Sequence, residues 1–387
     1  MLYLPYLLVG AAVLIVLQKF VSSITAANAR KRLIGIDKCR PITKYPQKDD
    51  RFGLKWMKAQ WKAYNEQAFL EAALHRFEAV GDTFEAHRIG NTFVQTRDPD
   101  NIKAILTTNF EDWSLGGRII QMGPFLGKGI FTTDGKAWEH SRVSVVCQCE
   151  RKIKADHHIQ ALVRPNFARL QVRNLDTLEN HVKRLVSRIP VDGSIVDLQE
   201  LFFGLTIDSA TELLFGESVE SLLDTDHHSR HHQFVEAYDF CQAKVILRPR
   251  NALLGKLRYD KKFSESCRIV HEYVETYVER ALSPIKKDNH DLEKAPKRYV
   301  FLEELAKETT DKITLRDEVL NVLLAGRDTT ASLLSNTFHV LARRQDIWNA
   351  LRKEVGQLDG MPPDFDQLRE LKLVRFVLNE CESSDRL

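Results

Sequence analysis

Cysteine is sparse and scattered in this chain: Cys39, Cys147, Cys149, Cys241, Cys267 and Cys381 are the six in 387 residues. That spacing excludes a disulfide-stapled scaffold and points to a working part that faces the cytosol. An excess of one charge is also lacking, with 56 basic residues against 53 acidic ones. A balance so even gives no reason to expect a nucleic-acid partner. No internal repeat or low-complexity tract is present, which excludes a repeat array. No basic residue precedes the first apolar run, which argues against a cleaved signal peptide. What is present is 43% apolar sequence, enough to bury a large core in one large domain or two ordinary ones.

Residues Leu2 to Leu17 carry no charge. With Gln18 to Val21 they reach the roughly 20 residues that span a bilayer. Lys19, Arg30, Lys31, Arg32, Lys38, Arg40 and Lys44 follow against the single acid Asp37, so the positive-inside rule places the rest in the cytosol. Residues 1–21 therefore read as a single-pass transmembrane anchor. Residues 22–50 read as a basic linker stiffened by Pro41 and Pro46.

Beyond the linker the pattern is helical from Gly53 to Val80. Thr83 to Ile89 and Thr92 to Thr96 alternate about Gly90-Asn91, a two-residue hairpin signal, and Asn101 to Thr107 reads as a short helix. The remainder is mainly helix, as in Val196 to Phe215, Tyr259 to Leu282 and Gln367 to Glu380. His227, His228, His231 and His232 lie in a polar stretch that reads as a solvated loop, with zinc binding as the competing reading.

The stretch around which the rest can be placed is Leu315 to Arg344. Val319, Leu320, Val322, Leu323 and Leu324 surround its first half with apolar groups, which predicts burial. Its middle is Ala325-Gly326-Arg327-Asp328-Thr329-Thr330. Small residues at 325 and 326 make a shallow notch one turn before Thr329, whose hydroxyl can bond the Ala325 carbonyl and bend or widen the helix. On these residues alone, a kink with a solvated acid and a functional notch are both open.

In Asp134 to Arg142, Trp138 and Arg142 stand four apart on one helix face and offer an indole and a guanidinium to a single anion. The ordinary alternative is a surface ion pair. The two stretches together resemble the cytochrome P-450 monooxygenases. A/G-G-x-D/E-T-T/S is the oxygen-activating helix of that family, and W-x-x-x-R its haem-propionate motif. The resemblance extends through G-K-G-I-F-T-T-D-G, through Leu162 to Phe167, and through Leu201 to Leu222. Together with the anchor, these matches are similar to the fungal branch that hydroxylates n-alkanes and fatty acids.

The resemblance implies a mainly α P-450 fold with a small β-sheet, and haem b as cofactor. By residue it assigns Trp138 and Arg142 to a propionate, Ala325 and Gly326 to the haem face, and Asp328 and Thr329 to proton delivery. It implies an NADPH-cytochrome reductase, O2 and a long apolar substrate as partners. The anchor adds membrane lipid and the endoplasmic reticulum membrane, with the catalytic domain cytosolic.

Two departures qualify that expectation. Val143 to Gln160 separates Ser141-Arg142 from Ala161-Leu162-Val163-Arg164-Pro165-Asn166-Phe167, which the family joins directly. This atypical insert reads as an in-frame intron that interrupts the helix just after Arg142. Its Cys147, Cys149, His157 and His158 also make a zinc candidate. At the other end, Glu380 matches the Glu of the family's E-x-x-R, but Ser383 stands where its Arg belongs. None of the six cysteines occupies F-x-x-G-x-R-x-C-x-G, and the axial Cys is expected downstream of Leu387. Residues 51–387 are accordingly expected to be a partial P-450 domain, unstable and inactive as written. The alternative is a non-catalytic, membrane-tethered fragment or mis-spliced product that binds lipid or a partner.

Overall fold

The computed structural model describes residues 42–47, 53–88, 91–150, 175–223, 226, 228–248, 260–283 and 300–383, with single helical residues between 17 and 32. The expected anchor falls almost entirely outside them. Among the described residues no helix is long and apolar enough to cross a membrane. The chain divides into two compact units, Met1–Trp113 and Ser114–Leu387.

The first unit holds the small sheet. Strand β1 (Thr43–Lys44) runs parallel to β2 (Thr83–Arg88), which pairs antiparallel with β3 (Asn91–Thr96). Arg88 opposite Asn91 places the two-residue connection at 89–90, one position earlier than the Gly90-Asn91 signal. The helical pattern expected from Gly53 to Val80 is two helices, α1 (Leu54–Asn65) and α2 (Phe69–Val80). The break between them has Gln67 at φ 55°, a left-handed backbone that a continuous helix cannot contain. Trp56, Phe84 and Ala86 form the core here, and the Tyr45 and Trp56 rings meet edge to face at 4.8 Å. A third helix, α3 (Pro99–Lys103), starts at an Asp98 cap and passes into a π-helical turn over Ala104–Thr108.

Among the described residues the second unit is helical: α4 (Arg118–Leu126), α5 (Gly135–Glu150), α6 (Leu175–Ser187), α7 (Leu198–Phe215), α8 (Arg230–Val245), α9 (Lys261–Leu282), α10 (Phe301–Leu305), α11 (Lys312–Leu341), α12 (Gln345–Val355), α13 (Phe365–Glu370) and α14 (Lys372–Ser383). The principal core gathers side chains from α4, α7, α8, α9, α10 and α11 around Phe125, Phe234, Tyr238 and Phe263. Helix α11 packs most extensively on α7. Cys241 of α8 and Cys267 of α9 are buried there, their sulfurs 3.6 Å apart.

Several helix ends explain themselves. Asp197, Ser229, Asp260 and Asp311 cap α7, α8, α9 and α11 by accepting from the first backbone amides. Leu371, with ψ at 81°, splits the expected Gln367 to Glu380 helix into α13 and α14. The Ser229 cap also corrects the histidine loop: His231 and His232 lie in the first turn of α8, and His231 Nδ1 is 2.7 Å from the Tyr273 hydroxyl. Among the described residues no group of three His, Cys, Asp or Glu side chains could hold a metal ion. The zinc candidate in the insert lies outside residues whose side chains are described.

Within the Leu201 to Leu222 match, the fully buried Asp208 carboxylate accepts from the amides of Ser221 at 2.6 Å and Leu222 at 3.3 Å. The return segment is thereby folded back on α7. Helix α5 continues through the first eight residues of the atypical insert, as far as Glu150, rather than ending after Arg142. That octapeptide contains neither Gly nor Pro, so nothing in it stops a helix.

Candidate active site

Helix α11 is a 30-residue α-helix without a π or 3-10 interruption, so the expected widening at Thr329 does not occur. Leu315, Val319, Leu320 and Leu323 are fully buried, as the apolar pattern predicts. Five polar residues of the helix share that burial, Asp317, Glu318, Asn321, Arg327 and Thr337, all at most 5% exposed. Burial of charged or amide side chains is tolerable only when they are hydrogen-bonded or paired, and the partners of the first four build the surroundings of the notch.

Asp317 and Asn321, one turn apart, hold the loop that leads to α5. The Lys128 amide donates to Asp317 Oδ2 at 2.8 Å, and the Phe131 amide to Asn321 Oδ1 at 3.1 Å. Asn321 Nδ2 donates in turn to the Leu126 carbonyl at 3.0 Å. The loop approaches so closely that a Cβ at Gly127 would lie 1.9 Å from Asp317 Cγ, and Gly127 also has φ +65°. Only glycine meets both demands. This is the G-K-G-I-F-T stretch of the sequence, and its structural role is to lay the chain against α11.

Helix α5 follows directly and is tied down by the Ser141 hydroxyl, which donates to Glu318 Oε1. Burial pushes the Glu318 carboxyl above its ordinary range, with the Ser141 bond opposing. On the same helix Trp138 and Arg142 are both half-buried and come together, the guanidinium carbon 5.1 Å from the indole centroid. They share a face, as their spacing predicts.

At the centre of α11 the surface opens. Ala325, Gly326, Thr329 and Thr330 are exposed although buried residues flank them on both sides. A Cβ built at Gly326 meets nothing within 4 Å. The Thr329 hydroxyl donates to the Ala325 carbonyl at 2.8 Å, the bond expected from the sequence. Asp328 is turned to the neighbouring helix instead, where Gln242 Nε2 donates to its Oδ2. Burial raises its carboxyl above the ordinary carboxylate range, with the adjacent Arg327 opposing.

Residues 54–381 match the family model described as Cytochrome P450. The chain belongs to the cytochrome P450 family. It is 38% identical over 373 residues to cytochrome P450 monooxygenase fsdH of Fusarium heterosporum, covering 93% of this chain and 62% of that protein. To cytochrome P450 52A12 of Debaryomyces hansenii it is 38% identical over 354 residues, covering 86% and 64%. Cytochrome P450 52A10 of Candida maltosa is 38% identical over 348 residues, covering 85% and 62%. The chain thus spans less than two thirds of the length of these relatives.

Haem is the cofactor that the P450 family implies. The open step at Ala325-Gly326 admits a flat group against the backbone. On α5, the Trp138 and Arg142 side chains carry the donor types suited to a carboxylate. These residues fit one face and one acidic edge of a haem. Sequence reasoning did not single out Arg327, Gln242, Asp317, Asn321 or Glu318. For Asp317 and Asn321 a signal existed, namely two polar residues at i and i+4 inside an otherwise apolar helical run.

Proposed function

We propose that this chain is the greater part of a haem-dependent monooxygenase that hydroxylates long-chain alkanes or fatty acids, using O2 and electrons from an NADPH-cytochrome reductase. The observation that carries the reading is the exposed step at Ala325, Gly326 and Thr329 in the middle of a helix with buried residues on both sides of it, and the Asp328 carboxyl immediately before Thr329. Haem b, when bound, supplies the oxygen chemistry, and the protein supplies orientation and protons. The indole N–H of Trp138 and the guanidinium of Arg142 hold a propionate. Ala325 and Gly326 line the flat face.

Thr329 Oγ1, engaged with the Ala325 carbonyl at rest, is a hydroxyl that can both donate and accept. It passes a proton outward to the open face, and Asp328 resupplies it once its carboxyl leaves Gln242 and turns to that face. Burial raises the affinity of Asp328 for its proton, the direction that a proton donor needs. The substrate class rests on the P450 52A relatives and the Leu201 to Leu222 stretch. Residues 1–21 anchor the protein in the endoplasmic reticulum membrane, with the remainder cytosolic.

In a haem-loaded chain extended to the full length of its relatives, Thr329→Ala is expected to keep haem uptake, followed by absorbance titration, while diverting NADPH-derived electrons to hydrogen peroxide. The ratio of hydroxylated product to NADPH consumed decides it. An unchanged ratio removes Thr329 from the mechanism.

A further inference from the structure

The third residue of the A-G-R-D-T-T motif has no role in the reading above, yet its side chain is buried and paired with groups from two neighbouring helices. Arg327 is 5% exposed. Its Nη2 pairs with Asp239 Oδ1 of α8 at 2.5 Å. Its Nη1 donates to Gln242 Oε1 at 2.9 Å and lies 3.4 Å from Asp328 Oδ1. Phe203 of α7 and Tyr238 of α8 bracket the guanidinium, their ring centroids 4.8 and 5.5 Å from its central carbon. A planar cation held between two rings and three polar partners has no freedom to swing.

Gln242 completes the arrangement. Its amide oxygen accepts from Arg327 while its amide nitrogen donates to Asp328 Oδ2. A neutral amide can face a cation and a carboxylate at once; a carboxylate in its place would accept from both sides and repel Asp328. We propose that Asp239 and Gln242 of α8, acting with Arg327, are positioning residues that hold the Asp328 carboxyl off the open face of α11 and set how readily it takes and releases a proton. The proposal rests on the reading of Asp328 as a proton donor only for what that proton is used for.

The charges in play are few. Arg327 on its own helix faces Asp328, as do Asp239 and Tyr238 from α8. Burial keeps the Tyr238 phenol neutral. Arg188 and Glu200 line the cleft of about 330 Å³ that Asp239 and Arg327 share. One cation therefore serves two carboxylates. Asp239, whose side chain is 48% exposed, competes with Asp328 for it. Removing the competitor should make Asp328 more acidic, and removing the amide donor should make it less so.

The test is an infrared titration of the full chain without haem, with Asp328→Asn used to identify the Asp328 carboxyl band. Asp239→Asn is expected to lower the midpoint and Gln242→Leu to raise it, each by roughly one pH unit. A purely structural clamp predicts no such opposed movement. The proposal is overturned if both midpoints stay at the parent value or move in the same direction. Should Gln242→Leu fail to fold by circular dichroism, the partly exposed Asp239 position still decides the matter, since a midpoint that does not fall in Asp239→Asn overturns it. Because no haem or turnover enters the measurement, its outcome is independent of the Thr329→Ala experiment.

Discussion

Among single residues, Glu318 is the one whose charge state most directly joins the two halves of the site. Its carboxylate receives the Ser141 hydroxyl of α5 while its other oxygen is buried without a hydrogen bond. The folded state raises its proton affinity by burial. A carboxyl of that kind adds stability in full below its unfolded pKa, and the contribution is lost as pH rises through the higher folded value. Glu318→Gln keeps an oxygen for Ser141 and cannot ionise. Its melting temperature relative to the parent should therefore climb as pH rises from the acid range to neutrality, read by calorimetry across that interval. A difference that does not change with pH would show that Glu318 carries no ionisation cost.

Among elements, α11 organises the second unit, and its sequence announces it. The apolar run from Val319 to Leu324 and the small residues at 325 and 326 are local signals, and both the buried half and the Thr329 to Ala325 bond follow from them. What local pattern could not supply is the set of partners from other helices. Arg327 meets Asp239 and Gln242 some 85 residues earlier in the chain, and no spacing rule connects those positions. The expected helix starts at 196, 259 and 315 differ from the observed ones by two or three residues, because the aspartate caps at 197, 260 and 311 set the boundaries.

The same helix offers a sharp test of how the loop before α5 is held. Asn321→Leu conserves volume but strands the Phe131 amide and the Leu126 carbonyl in the interior. The expected loss is about 2 to 4 kcal/mol in urea denaturation, from two orphaned backbone groups. A loss under about 1 kcal/mol would mean that water replaces the side chain there.

For the whole molecule, the family match spans residues 54–381 and so runs across the atypical insert. We expect a chain lacking Val143–Gln160 to retain the Ser141 to Glu318 tie and to melt no lower than the parent, because Lys128, Phe131 and Ser141 all precede the deletion and their partners Asp317, Asn321 and Glu318 lie far beyond it. A fall of several degrees, equivalent to roughly 1 kcal/mol or more, would instead make the insert a packed part of this protein.

The facing thiols of Cys241 and Cys267 bear on the chemical durability of such a protein. Sulfur oxidises through its thiolate, and both sulfurs sit inside the hydrocarbon core, where burial and the neighbouring thiol hold the Cys241 proton in place. Peroxide that reaches the protein from solvent meets its exposed side chains first. Here the two core sulfurs are kept as plain thiols and shielded from water, so oxidative wear should begin at surface side chains and reach this pair only after the helices around it have opened.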